Sequence, residues 1–167
     1  MPIRDISDAD LDELLALNQE HVTELSALSR DELARLVRDA FYARRPDDGL
    51  AFLLVFDQTA DYASPNFLWF RDRHERFVYV DRIVVSPQER GRGFAKALYE
   101  DLFAKAEAAS HTRICCEVNS DPPNPGSDRF HEAMGFAEAG EARLEDRGKS
   151  VRYLERVLSL RNKSAPA

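Results

Sequence analysis

Hydrophobic residues recur along the chain with two periods, one typical of strands and one typical of amphipathic helices. Short runs rich in branched and aromatic residues predict strands, and the run 50–56 is so continuously apolar that it predicts a strand buried on both faces. Because predicted strands and helices are interspersed, the order indicates a mixed α/β fold. The predicted strands cover residues 3–5, 41–45, 50–56, 77–85, 114–118 and 151–158.

Capping residues mark the starts of the predicted helices. Ser7 or Asp8 begins the first helix and Ser29 begins the second, and each is followed by leucines at helical spacing. A third and longer helix is predicted from about Gly91 to Ala109, with small and apolar residues along one stripe. Asn124 with Pro125 is the predicted cap and first turn of a short helix that reaches Met134.

Length and composition indicate one globular domain. The chain has 167 residues, 44% hydrophobic and 32% charged, and we expect a domain at 1–160 followed by a flexible tail at 161–167. The formal charge of -7 argues against nucleic-acid binding and favours a cationic substrate. No apolar run reaches membrane-spanning length and the N-terminus has no secretory pattern, so we expect a cytoplasmic protein without a membrane partner.

The two cysteines are sequence neighbours, Cys115 and Cys116. Adjacent cysteines form neither an ordinary disulfide nor a metal clip, and these two lie in a predicted strand. We therefore expect buried strand residues and no metal site.

The most informative stretch is 84–95, where an apolar strand enters a glycine-containing turn and a long helix follows at once. Such a turn directs free backbone N–H groups and the positive end of the helix dipole to one place, which suits a phosphate or pyrophosphate. Gly91 and Gly93 let the backbone approach phosphate oxygens without an intervening Cβ. The alternative is that they only form a turn.

Two nucleotide-binding motifs are excluded. A dinucleotide-binding motif needs a third glycine where Lys96 stands, and no Walker A sequence occurs.

Two blocks of sequence instead resemble the GNAT superfamily of N-acetyltransferases. The block QERGRGFA at 88–95 resembles the acetyl-coenzyme A loop of that family, and NPGSDRFHEAMGF at 124–136 is similar to its fourth-helix signature. The resemblance covers 77–136, and the turn PPNP at 122–125 is similar to that of bacterial members described as predicted acetyltransferases. It implies a central twisted mixed sheet flanked by helices, with acetyl-coenzyme A as donor and a small-molecule or peptide amine as acceptor.

The resemblance also implies which residues hold the cofactor. In the family, the strand before the loop separates from its neighbour, so its main chain pairs with the pantetheine arm and offers a donor to the thioester oxygen. The family's asparagine at the start of the fourth helix reaches the same arm. The predicted cofactor-binding residues are Val84, Val85, Arg90, Gly91, Arg92, Gly93, Phe94, Ala95 and Asn124.

Direct amine attack, without an acyl-enzyme, requires a base because an ammonium group must first lose a proton. Asp81 matches the position at which many family members carry a glutamate, and the alternative is a salt bridge to Arg82. Glu117 and Asn119 either border the acceptor pocket or are surface polar residues.

His131 departs from the family pattern, which has tyrosine at this position to protonate the leaving thiolate. Histidine can donate a proton, so His131 is the predicted acid. Alternatively it packs as a neutral residue, and Tyr99 or Tyr153 takes its place.

Two other functions stay open at this stage. One is a non-catalytic coenzyme A-binding module. The other is an interaction protein that uses the aromatic connection at 57–76, including Trp69, for docking, although that connection is equally able to pack on the domain. A homodimer is compatible with catalysis, since many family members dimerise. The acceptor is open among protein N-termini, lysine side chains, free amino acids, polyamines and aminoglycosides.

Overall fold

A twisted seven-stranded sheet forms the centre of the computed structural model, which describes residues 1–22 and 25–159. The spatial order is β1-β2-β3-β4-β5-β7-β6, and neighbouring strands are antiparallel except for β4 and β5. The strands are β1 (Ile3–Asp5), β2 (Tyr42–Pro46), β3 (Ala51–Asp57), β4 (Val78–Val85), β5 (Arg113–Asp121), β6 (Ala137–Leu144) and β7 (Lys149–Val157).

Helices cover both faces of this sheet. On one face, leucines of the first two helices pack with the phenylalanines of the third, and on the other face the long fourth helix packs with the fifth. The mixed α/β fold predicted from the sequence is thereby confirmed. The helices are α1 (Leu11–Gln19), α2 (Arg30–Asp39), α3 (Pro65–Arg71), α4 (Phe94–Ala108) and α5 (Pro125–Ala133).

The helix starts follow the predicted capping chemistry with two adjustments. Ser7 precedes a short 3-10 helix at Asp8–Asp10, so the first α-helix begins at Leu11. The Ser29 side chain accepts a hydrogen bond from the Glu32 N–H, as a capping residue does. The long helix begins at Phe94 rather than at Gly91, because Gly93 has a φ of +83°, which is outside the helical range.

The strand β3 is buried along almost its whole length. Every residue of β3 from Ala51 to Phe56 is buried, which confirms the strand predicted to be buried on both faces. Cys115 and Cys116 are also buried, in the hydrophobic clusters on opposite faces of the sheet. They are strand residues as expected.

The connection at 57–76 packs on the domain. It contains α3, and the indole of Trp69 stacks on the Tyr153 ring with centroids 4.2 Å apart. The same indole lies so close to Gly140 that any Cβ there would meet it at 2.6 Å. These contacts favour packing of the loop over the docking role.

One strand was not predicted from the sequence. β6 is an edge strand with mostly exposed residues, rich in alanine and glutamate, so it lacks the alternation of a half-buried strand. It forms because β7 supplies a hydrogen-bonding partner along its length. The tail predicted at 161–167 lies outside the described residues.

The sheet opens at its centre. β4 and β5 pair only at Val78 with Ile114 and at Tyr79 with Cys115. Against β3, the register of β4 shifts so that Asp81 is an extra residue, a β-bulge. The bulge bends β4 where the strands separate, which leaves a gap between their C-terminal halves.

None of the helices in the described part of the chain is long and apolar enough to cross a membrane.

Candidate active site

The gap between β4 and β5 forms a cavity of about 110 Å³, which we call the wedge. Beyond Tyr79 the main chain of β4, including Val84 and Val85, has no β5 partner. An extended polar ligand can add to such a strand edge by main-chain hydrogen bonds. The side chain of Val84 is buried, so only its main chain is available to a ligand.

The loop after β4 presents unpaired backbone donors. Gly91 and Gly93 have φ values of +81° and +83°, and a Cβ at either position would meet nothing within 4 Å, so both lie beside open space. In the described residues, the backbone N–H groups of Phe94, Ala95 and Lys96 have no acceptor, since the first helical bond runs from Ala97 N–H to the Gly93 carbonyl. These groups and the helix dipole make an anion-binding position.

Packing beneath this loop fixes its shape. The Phe94 ring covers Gly49 so closely that a Cβ there would lie 2.2 Å from it. The Leu50 N–H donates to the Glu89 carboxylate, and the Leu50 carbonyl accepts from Ser86 N–H at 2.9 Å. The anion-binding donors are therefore held in place before any ligand arrives.

The two arginines of the loop differ in their surroundings. The Arg92 guanidinium lies 4.7 Å from the centroid of the Phe94 ring and 3.5 Å from a Glu89 carboxylate oxygen. Arg90 is exposed and has no ion-pair partner in residues 1–22 and 25–159. Of the two, Arg90 is the one whose charge is not already engaged.

Asn124 belongs to the wall of the wedge and directly precedes α5. Its side-chain oxygen accepts a hydrogen bond of 3.3 Å from Ser127 N–H and caps α5, as predicted. The residue also lines the wedge. The unpaired edge of β4 and the wedge beside it could hold the pantetheine arm of acetyl-coenzyme A. The turn with its free N–H groups could hold the diphosphate.

Asp81 is engaged in a buried ion pair. Its side chain is only 4% exposed, and one carboxylate oxygen accepts from Arg82 Nε at 2.6 Å. The Tyr62 hydroxyl donates to the other oxygen. Arg82 is held in turn by the side-chain oxygen of Asn18 at 2.8 Å. This is the salt bridge that was the alternative to a base, and the base role of Asp81 stays a prediction.

Glu117 is a second carboxylate in the same region, on β5. It accepts hydrogen bonds from the Tyr79 hydroxyl at 2.6 Å and from the Asn66 side-chain nitrogen at 3.1 Å. Asn66 is oriented by the Tyr153 hydroxyl, which donates to its side-chain oxygen at 2.9 Å. Burial is the main reason that the pKa of Glu117 is raised to about 7. A carboxyl group with this pKa exchanges protons near neutral pH, which is the property of a general base.

The sequence carries a signal for Glu117. It follows Ile114, Cys115 and Cys116 and precedes Val118, so it is an acidic residue within an apolar strand. An unpaired charge in that setting is costly and indicates a special environment. Its neutral partners come from distant parts of the chain and could not be read from the sequence.

His131 is buried and forms hydrogen bonds through both ring nitrogens. Nδ1 lies 2.8 Å from the Ser127 carbonyl oxygen, which can only accept, so Nδ1 carries the hydrogen. Nε2 of the neutral ring is then an acceptor, and it lies 2.7 Å from the Tyr99 hydroxyl. Burial lowers the pKa of His131, which favours this neutral state, and burial raises the pKa of Tyr99 well above its ordinary value.

The one acidic proton of this pair therefore lies between Tyr99 Oη and His131 Nε2. Both residues line the wedge. The acid role of His131 stays a prediction, and the structure brings Tyr99, its predicted substitute, into direct contact with it. Tyr153 lies on the other face of the sheet, within the cluster around α3.

A second, polar cavity of about 60 Å³ adjoins the wedge, and we call it the polar cavity. The two cavities share Asp81, Arg82 and Glu117 in their walls. Glu117 is thus part of the wall of both cavities.

The cysteine thiols are unsuited to covalent catalysis. Cys116 lines the wedge, but burial raises its pKa well above the ordinary value, and burial also raises the pKa of Cys115. Both thiols are therefore protonated at neutral pH, whereas a nucleophilic cysteine needs its thiolate.

Comparison with known families and curated proteins gives one family match. The family model described as "Acetyltransferase (GNAT) family" matches residues 14–136. No curated protein gives a significant match.

Many solved structures share the fold. The ribosomal-protein-S18-alanine N-acetyltransferase of Escherichia coli is 17% identical, with a TM-score of 0.69 over 98% of this chain and 97% of that one. The ribosomal-protein-alanine N-acetyltransferase of Brucella melitensis is 18% identical, with a TM-score of 0.71 over 95% and 100%. The yncA protein of Salmonella typhimurium, solved with its cofactor acetyl-CoA, is 16% identical, with a TM-score of 0.69 over 100% and 98%.

Proposed function

The chain belongs to the GNAT family of acetyltransferases, which use acetyl-coenzyme A, and from this we propose that it acetylates an amine by direct attack on the thioester, without an acyl-enzyme. The observation that carries the proposal is the position of Glu117. Its carboxylate borders both the wedge and the polar cavity, where an acceptor nitrogen would meet the thioester.

Residues of the wedge and the loop would hold the donor. The backbone N–H groups of 94–96 and the Arg90 guanidinium would bind the diphosphate. The open edge of β4 at Val84 and Val85 would bind the pantetheine arm and present an N–H to the carbonyl oxygen, and Asn124 would contact the same arm. When bound, acetyl-coenzyme A supplies an acetyl group activated as a thioester.

Glu117 acts as the base in this proposal. Its carboxylate takes a proton from the acceptor ammonium, which frees the nitrogen lone pair to form the N–C bond as the C–S bond breaks. With a pKa of about 7, it is substantially ionised at neutral pH and still basic enough to take a proton. Asp81 is the competing base, but its charge is already balanced by Arg82.

The Tyr99–His131 pair supplies the other proton. As the sulfur leaves, the pair delivers the proton held between Oη and Nε2, and solvent restores it. The nitrogen loses a second proton to solvent once the N–C bond has formed, and the proton taken by Glu117 is also released to solvent. Since one proton returns to the Tyr99–His131 pair, the net reaction converts an ammonium and a thioester into an amide, a thiol and one proton. The buried, protonated thiols of Cys115 and Cys116 are consistent with transfer that forms no acyl-enzyme.

Matched variants of the two carboxylates test the assignment of the base. We expect Glu117→Gln to lower kcat by about 100-fold and to remove the rise of rate with pH near 7, because general-base catalysis is worth about that factor. Acetyl-coenzyme A affinity, measured by calorimetry, should be unchanged. Asp81→Asn should keep the rise near pH 7 while it lowers thermal stability, since it leaves Arg82 without its counter-ion.

The reverse result would assign the base to Asp81. Loss of the rise near pH 7 in Asp81→Asn, with a full profile in Glu117→Gln, contradicts the role of Glu117. Tight acetyl-coenzyme A binding without thiol release from any amine would instead indicate the non-catalytic coenzyme A-binding module.

A further inference from the structure

Two cations at the turn between β6 and β7 face the polar cavity. Lys149 and Arg147 both line it, and neither lines the wedge. Arg147 also lines a wider cavity of about 530 Å³, which we call the outer cavity and which shares Tyr62 and Ser64 with the polar cavity. In the part of the chain that the structure describes, neither cation forms an ion pair.

The charges of the polar cavity do not balance without a ligand. Asp81 and Arg82 neutralise each other at 2.6 Å. Among the wall residues that the structure describes, Glu117 is then the one remaining anion, against Lys149 and Arg147, so these residues carry an excess of about one positive charge when Glu117 is ionised. Lys149 acts on Glu117 electrostatically, since it opposes the effect of burial on the pKa of that carboxyl group.

This local charge is opposite to the net charge of -7 of the chain, from which a cationic substrate was expected. A polyamine or an aminoglycoside would bring several positive charges to a cavity that already has an excess. A simple neutral or monocationic amine would leave Lys149 and Arg147 without a partner. A ligand with one ammonium and one anionic group can pair its ammonium with Glu117 and its anionic group with Lys149 and Arg147.

We propose that the acceptor is a small amine that also carries a carboxylate, of which a free amino acid is the simplest example. The ammonium faces Glu117, and the carboxylate faces Lys149 and Arg147. The outer cavity, lined also by Arg35 and Asp61, receives the rest of the molecule. This inference rests on the proposed function, because it places the acceptor in the cavity that adjoins the wedge.

The first test compares free amino acids with their carboxamides in a thiol-release assay. A carboxamide has the same side chain but no negative charge, and its α-amine is less basic, so more of it is neutral at a given pH. Any effect of amine basicity alone therefore favours the amide. We expect kcat/KM to be at least about tenfold higher for the carboxylates, since a charged hydrogen bond is worth that factor or more. Spermidine, an aminoglycoside and a peptide with a free N-terminus complete the panel.

The second test removes the positive charge of Lys149 or of Arg147. Lys149→Gln should raise KM for the carboxylate about tenfold and leave KM for the matching amide unchanged. Arg147→Gln should have the same selectivity with a smaller factor, because Arg147 is exposed. Arg143→Gln is the control, since Arg143 lies on the same hairpin, is paired with Asp121 at 3.1 Å and lines none of the three cavities.

Several outcomes overturn the inference. It fails if the polyamine, the aminoglycoside or the peptide has the highest kcat/KM, or if Lys149→Gln affects acid and amide equally. In these cases amine acetylation still stands. If no member of the panel releases thiol although acetyl-coenzyme A binds, the proposed function itself fails and this inference falls with it.

Discussion

A carboxyl group that is largely removed from water has a cost in stability, and Glu117, the proposed base, shows it. In the unfolded chain its pKa is near 4.5, and in the folded protein it is about 7. The folded state therefore prefers the neutral form, and ionisation of Glu117 opposes folding. The cost is absent below pH 4.5, grows between pH 4.5 and 7, and stays constant above pH 7, where it amounts to about 3 kcal/mol.

Glu117→Gln should accordingly stabilise the protein at alkaline pH while it removes activity. We expect the free energy of unfolding to increase by about 1–3 kcal/mol at pH 8 and to change little at pH 4.5, because the amide mimics the neutral acid. Urea unfolding at the two pH values measures the difference. A variant that is less stable than the parent at pH 8 would contradict the raised pKa of Glu117.

The sequence identifies individual reactive residues less well than it identifies elements. Asp81 was predicted to be the base because it matches the position of a glutamate in the family. The structure places its carboxylate in a salt bridge with Arg82, which was the alternative to that role. Glu117 owes its properties to Tyr79 and Asn66, which are 38 and 51 residues away in the chain. Such partners depend on the whole fold, so a motif cannot report them.

At the scale of elements, the loop between β4 and α4 has a backbone conformation that also leaves its N–H groups open to a ligand. Its glycines have left-handed φ values, and each would direct a Cβ into open space rather than into protein. That space is where a diphosphate would approach the backbone donors. Strain and steric obstruction of the ligand should therefore appear together when a side chain is added.

Gly93→Ala should raise the acetyl-coenzyme A dissociation constant about tenfold or more, while Gly135→Ala should leave it unchanged. Both residues have similar φ values, +83° and +89°, so both substitutions carry a backbone cost of about 1 kcal/mol. Gly135 lies beside Arg156, away from the loop. Calorimetry and thermal unfolding separate the two effects, and equal loss of affinity in both variants would mean that strain alone is responsible.

Most elements could be predicted because their signals are local. The Ser29 cap, the Asn124 cap of α5 and the continuously apolar β3 each depend on residues that are adjacent in the chain. β6 could not be predicted, since its exposed alanines and glutamates form a strand only against β7. The separation of β4 from β5 was expected from the family resemblance, and the bulge at Asp81 lies where the two strands separate.

For the molecule as a whole, an ionic network joins the N-terminal elements to the loop between β4 and α4. The Asp10 carboxylate accepts from Arg4 at 2.7 and 2.8 Å and from Arg45 at 3.0 Å, which connects β1, β2 and the start of α1. Arg45 also donates to the Gly49 carbonyl at 3.1 Å, and Gly49 is the residue that the Phe94 ring covers. The network thus supports the turn on which the anion-binding loop rests.

Removing the central charge should be costly because it leaves buried Arg45 with less compensation. We expect Asp10→Asn to lower the free energy of unfolding by about 3 kcal/mol at pH 7, whereas Asp12→Asn, whose exposed carboxylate pairs with Arg30, should cost less than about 1 kcal/mol. The hydrogen bonds from Arg4 hold the pKa of Asp10 well below its ordinary value of 3.8. The contribution of ionised Asp10 to the free energy of unfolding is therefore complete above about pH 4 and declines only as the pH falls further. Urea unfolding at pH 7 and pH 3 should show that the difference in stability between the parent and Asp10→Asn, the gap, is smaller at pH 3. A gap that is the same at both values, or equal costs for the two variants, would show that the charge of Asp10 does not stabilise the fold.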